Sequence, residues 1–230
     1  MKKFVNIIIF SVLIFGLFSC SKKNTEPAYV LTEEDMQIIN SVKQVKWYEG
    51  EDKTKAFELL DKAIEAKPYV WEFYSFKISI ANSLRKSLDD YKNGVHVILE
   101  CMQKYSTHAT YKFTPYQNYL YGFSLMCEGQ KQEAEKYLNE GFKYLSSLPR
   151  KIKNGSTEEF ESGNALMCGF VLGKVDSKLL EKLKKSYENE FLAENIDYLF
   201  EQITPEEYIN NYGAMSLDFD DMDADLYFED

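Results

Sequence analysis

The sequence predicts an all-α chain built from antiparallel helix pairs, and three observations carry that prediction. From about residue 32 almost to the end, apolar residues recur at helical spacing, and no stretch alternates apolar and polar residues long enough to make a strand. Several segments open with capping chemistry, in which a hydroxyl accepts from free backbone N–H groups while an acid three residues on reaches back. Gly50, Gly129 and Gly155 fall where helices should stop, and the connections between segments are short.

The elements follow in order. Thr32-Glu33-Glu34-Asp35 caps a first helix over about 32–48, and Gly50 closes it. Residues 51–67 make the second, ending at Pro68. The third, 69–86, begins in the aromatic run Trp71-Glu72-Phe73-Tyr74 and gives way to Ser87-Leu88-Asp89-Asp90, which caps a fourth over 88–105. Thr114-Pro115 starts the fifth, 114–128, with proline at the first helical position, where its missing N–H is no loss. Gly129 separates it from the sixth, 130–147. Ser156-Thr157-Glu158-Glu159 caps a seventh over 156–172, and 177–190 and 193–202 follow it. Thr204-Pro205-Glu206-Glu207 combines both start signals at 205–211.

Before these helices the chain opens Met1-Lys2-Lys3 and then runs from Phe4 to Phe18 with Asn6 and Ser11 as its only polar side chains. A positive start, a short apolar run and a small residue before the cut describe a secretory signal. The run is shorter than the ~20 residues a membrane-spanning helix needs. Its end, Leu17-Phe18-Ser19-Cys20, resembles the lipobox of bacterial lipoproteins, although Phe18 is bulkier than the usual residue at that position. The resemblance implies cleavage before Cys20, a diacylglycerol on its sulfur and a third acyl chain on its new amine. One acyl chain gives only marginal membrane binding, whereas several anchor a protein stably. Ser21 in place of Asp after the cysteine is similar to the outer-membrane sorting pattern of some Gram-negative bacteria. The expected organisation is a removed signal peptide over 1–19, a lipidated tether over 20–31, a helical-repeat domain over 32–212 and an acidic-hydrophobic tail over 213–230.

A period runs through the helices. On the sixth, Ala134, Leu138 and Gly141 share one face; on the fifth, Gly122 stands between Tyr121 and Leu125. Small residues at such positions let two antiparallel helices approach closely, while large ones fill the gap to the next pair. This pattern over 115–148 resembles the tetratricopeptide repeat. Ala56, Leu60, Ala63 and Pro68 match a second unit, whose first helix carries Trp47 but departs from the pattern at Lys43 and Gln44. Trp71 to Ile78, with Ser75 as the small residue, begins a third. The fourth pair, 156–172 with 177–190, keeps only the helix-turn-helix outline. The resemblance implies a short tetratricopeptide-like superhelix; an irregular α-bundle is the alternative. Its inner face would come from first helices, which over 115–148 places Tyr116, Tyr119, Phe123 and Met126 on a partner-binding groove. The same stripe fits equally well as packing against the neighbouring pair.

Composition narrows the chemistry. The formal charge is −10, and removing Lys2 and Lys3 with the signal peptide takes it to −12. An acidic bulk field disfavours nucleic acid. After Cys20 come Cys101, Cys127 and Cys168, an odd number without C-x-x-C spacing, which suits small buried apolar residues better than a disulfide framework. His96 and His108 have no metal-type partner at helical spacing, and no nucleotide or hydrolase motif is present. Neither catalytic residues, a metal nor a cofactor is expected. In the tail, Asp221, Asp223 and Asp225 are spaced like the start of a calcium loop, but Leu226 stands where that loop needs glycine. Phe219, Met222, Tyr227 and Phe228 interleave with the acids, as a segment that docks on a basic, apolar-lined surface would require; plain disorder is the alternative. The resulting expectation is a non-catalytic, lipid-anchored adaptor that binds a protein or peptide in the cell envelope, on its periplasmic or outer face. A glycan-capturing lipoprotein and an immunity-type inhibitor are the alternatives.

Overall fold

A computed structural model describes residues 29–43, 50–83, 85–109 and 111–214. Ten α-helices lie among them: α1 (Glu33–Lys43), α2 (Gly50–Ala66), α3 (Trp71–Asn82), α4 (Leu88–Ser106), α5 (Pro115–Cys127), α6 (Lys131–Phe142), α7 (Thr157–Val171), α8 (Ser177–Lys184), α9 (Glu190–Glu201) and α10 (Pro205–Asn210). A 3₁₀ segment, Lys143–Ser147, extends α6. The only β-type pairing among the described residues is a single parallel bridge between Ile152 and Tyr187. The all-α expectation therefore holds. Cys20, Trp47 and the tail residues Phe219, Met222, Tyr227 and Phe228 lie outside the described residues.

The caps behave as their side chains dictate. Thr32 Oγ1 accepts from the Asp35 N–H, and the Asp35 carboxylate accepts from the Thr32 N–H at 2.9 Å. That carboxylate also takes the Tyr29 hydroxyl at 2.7 Å and the Lys67 ammonium at 2.6 Å, which ties α1 to the end of α2. Burial alone would push Asp35 up. The bonds from Lys67, Tyr29 and Thr32 outweigh it and hold the carboxyl well below the usual range. Ser87 with Asp90, Thr114 with Gln117 and Thr204 with Glu207 form the same reciprocal box at α4, α5 and α10.

Successive helices pack in sequence from α1 to α7, α8 packs on α9, and α5 also packs along α7, first helix against first helix. Small residues set the spacing. A Cβ on Gly122 would lie 2.5 Å from Leu138 Cγ and 3.2 Å from the Ala134 carbonyl oxygen, so α5 and α6 meet at backbone distance. A Cβ on Gly141 would lie 2.6 Å from Cys168 Sγ and 3.0 Å from Asn118 Cβ, which repeats the device between pairs. Ala56, Leu60 and Ala63 are buried in α2, as are Tyr74, Ser75 and Ile78 in α3. One apolar cluster runs from α1 to α10, and a second gathers Leu145, Ile152, Leu166, Leu183 and Ile196 around α7, α8 and α9.

Among the boundaries that differ from the sequence expectation, two do so for a tertiary reason and a third for a local one. The segment 177–190 stops being helical at Lys184, because Ile152 donates to the Ser186 carbonyl at 2.8 Å and accepts from the Glu188 N–H at 2.9 Å. Tyr187 is thereby buried, its hydroxyl 2.8 Å from Ser162 Oγ. Residues 143–147 tighten to 3₁₀ as Leu145 turns into the second cluster. The third helix ends at Asn82, where Ser83 bonds back to the Ile80 carbonyl through both its N–H and its hydroxyl.

Candidate functional site

The face formed by the first helices α3, α5 and α7 carries the stripe singled out from the sequence. In the described residues that stripe is largely buried. Tyr116, Phe123 and Met126 are buried and Tyr119 is half-buried. Tyr116 links the three helices as an aromatic ladder, its ring 6.3 Å from Trp71 of α3 and 5.2 Å from Phe160 of α7. Its backbone N–H donates at 2.9 Å to the buried Glu161 carboxylate, which thus caps α5 from α7. Burial pushes Glu161 up to about 7, against the partial opposition of the bonds from Tyr116 and Thr114.

The rest of the stripe lies under the chain's own C-terminal part, because α10 packs across α5 and α7. Tyr208 of α10 places its hydroxyl 2.6 Å from that of Tyr119, with its ring 5.1 Å from Phe123 and 5.6 Å from Phe170. Cys127 Sγ donates to the Ile209 carbonyl at 3.6 Å. Gly213 follows with φ +88°, and a Cβ there would approach Phe123 to 3.3 Å. Only a residue without a Cβ adopts that turn cheaply at so close an approach. The inner face is therefore a surface suited to a short aromatic-bearing helix, and here it holds one from the same chain.

The thiols are structural. Cys101 and Cys168 are buried, Cys127 is half-buried, and all three are free. Burial pushes Cys101 and Cys127 up to about 12 and Cys168 further, so little reactive thiolate forms near neutral pH. His96 lies exposed 3.4 Å from Glu100 on its own helix. Among the described residues, no group of three or more His, Cys, Asp or Glu side chains is placed to hold a metal. No described helix is long and apolar enough to cross a membrane. A cleft of ≈ 470 Å³ opens between α8, α9 and the start of α10, over Phe170, Leu180 and Phe200 with Asp176, Glu181 and Glu201 at its rim.

Sequence reasoning missed two residues that matter on the inner face, Glu161 and Arg85. Glu161 sits mid-helix in an ordinary amphipathic pattern, and nothing local distinguishes it from an exposed acid. Arg85 did carry a signal: it is one of only two arginines, with Arg150, in a chain of 27 basic residues. No protein family, no curated protein and no solved structure matches this chain.

Proposed function

We propose that the protein is a non-catalytic, lipid-anchored helical-repeat adaptor of the bacterial cell envelope, which holds a protein or peptide partner near the membrane. The anchoring half of this reading rests on Leu17-Phe18-Ser19-Cys20 following an uncharged apolar run. The binding half rests on one structural observation. The inner face of the first helices accepts a short helix, α10, through an aromatic and hydroxyl contact centred on Tyr208. Helix-in-groove recognition uses the same physics when the helix comes from another chain. On this reading a partner segment exchanges with α10 for contact with Tyr116, Tyr119, Phe123 and Met126. The tetratricopeptide-like spacing of Gly122, Ala134 and Gly141 supports the repeat assignment, because those positions are where the helices approach most closely.

The reading is tested by fractionation and crosslinking. Wild-type protein should sediment with membranes, and Cys20→Ala should release it to the soluble fraction. Crosslinked membranes should yield the same partner reproducibly with the wild type and not with the released variant. A Cys20→Ala protein that stays with membranes would remove the lipid anchor from the proposal.

A further inference from the structure

Arg85 lies in the turn between α3 and α4, and among the described residues no carboxylate pairs with it. Its Nε is sealed from solvent without a hydrogen-bond partner, while the residue as a whole remains partly exposed. The guanidinium lies 4.8 Å over the Tyr91 ring. Asn82 Oδ1, on the last residue of α3, is likewise buried and unpartnered. Both groups crowd against Gly94 of α4. A Cβ there would lie 2.6 Å from Asn82 Oδ1, 3.4 Å from Arg85 Nε and 3.5 Å from one terminal nitrogen. Glycine at 94 makes the room in which the Asn82 side chain sits, with Arg85 in contact beside it.

Among the described residues, no carboxylate figures among the strongest influences on this guanidinium. After burial, which lowers its proton affinity, the strongest influences are the phenols of Tyr91, Tyr208, Tyr119 and Tyr116. Phenols are neutral at physiological pH, and burial pushes Tyr208 up to about 12. A guanidinium does not deprotonate in response, as a lysine can. A cation partly withdrawn from solvent with no anion beside it is unfavourable, and such charges are ordinarily paired. The Tyr119 and Tyr208 hydroxyls share one hydrogen bond, which uses one of their two protons and leaves the other to donate.

We propose that Arg85 forms the centre of a carboxylate-binding site on the inner face, with Asn82 packed beside it and the Tyr119–Tyr208 pair supplying a hydroxyl donor. The fork of terminal amino groups matches a carboxylate in two parallel bonds, a geometry that lysine does not offer. The carboxylate has two possible sources. It is either a free ligand or an acidic side chain of this chain's own 218–230 segment, which lies outside the described residues. The site does not depend on the adaptor reading, since it requires no membrane anchor.

Acetate titrated against chloride at constant ionic strength, read as a shift in Tm, distinguishes the sources. The proteins compared are the wild type, Arg85→Gln and a variant with Asp218, Asp220, Asp221, Asp223 and Asp225 changed to Asn. A free-ligand site gives a rise of roughly 3–6 °C in the wild type at ten times the dissociation constant, and none in Arg85→Gln. A site filled from within shows that rise only in the tail variant, and there the added Arg85→Gln change abolishes it. Gly94→Ala, which displaces Asn82 from beside Arg85 without changing charge, should weaken acetate binding severalfold and provides the check if Arg85→Gln fails to fold. No acetate shift in either the wild type or the tail variant would overturn the proposal, as would an equal shift with and without Arg85.

Discussion

Changing Gly122 to alanine and changing Gly163 to alanine are the same chemical edit inside two helices, and the structure assigns them opposite signs. Alanine is better than glycine in a helix interior by about 1 kcal/mol. At Gly163 nothing lies within 4 Å of a new Cβ, so that gain is realised in full. Gly163→Ala should raise Tm by roughly 2–4 °C for a chain of this size. At Gly122 the methyl would meet Leu138 Cγ at 2.5 Å and Cδ2 at 2.8 Å, with the Ala134 carbonyl oxygen behind them at 3.2 Å. Leu138 and Ala134 are both fully buried, so neither has open space to move into. Overpacking of this kind costs about 1–3 kcal/mol, and contact at a branch atom backed by main chain belongs at the upper end. Net of the helix gain, Gly122→Ala should lose about 2 kcal/mol and roughly 4–8 °C in Tm. Far-ultraviolet circular dichroism during heating measures both. A Gly122→Ala protein as stable as the wild type would refute the claim that α5 and α6 are held at backbone distance.

The remaining predictions concern the inner face. Glu161 holds its proton up to about pH 7 in the fold and near its ordinary value when unfolded, so the folded state binds the proton more tightly between those values. Stability should therefore be highest below about pH 4.5 on this group's account and fall as pH rises through about 7, by an order of 3 kcal/mol. Glu161→Gln should flatten that fall and be the more stable protein at pH 8; an unchanged pH profile in urea unfolding would show that the carboxyl is already ionised in the fold. Tyr208→Ala removes a buried ring and the bond to Tyr119, a loss of about 3–5 kcal/mol for a large aromatic. Hydrogen exchange should then quicken across α10 and the 211–214 turn while α3 to α6 keep their protection, and uniform exchange would show that α10 is not held separately. If a partner exchanges with α10, the same variant should capture more of it.

Much of the fold was legible because its determinants are local. Thr32 with Asp35, Ser87 with Asp90, Thr114 with Gln117 and Thr204 with Glu207 each satisfy free helix-end groups within four residues of chain, so the four starts could be read directly. The close-approach positions Gly122, Ala134 and Gly141 were visible for a related reason, since packing at backbone distance admits few residue types. The end of α8 was not visible. Residues 185–189 are compatible with helix by themselves, and only the bridge to Ile152, more than thirty residues away, pulls them out of it.

The candidate site divides along the same line. That the stripe Tyr116, Tyr119, Phe123 and Met126 lies on one helix face follows from spacing alone. Whether that face is open or filled depends on α10, about eighty residues further along, and no periodicity within α5 encodes its arrival. Glu161 and Arg85 show the limit most sharply. Their identities are written in the chain, but their significance arises from burial, and burial belongs to the assembled set of helices. The sequence by itself determined the helices, their caps and the places where pairs come closest, because those depend on neighbours within a turn or two. The tertiary structure alone decided which face is covered and which charges are sealed, because desolvation is set by everything that surrounds a group and not by what precedes it.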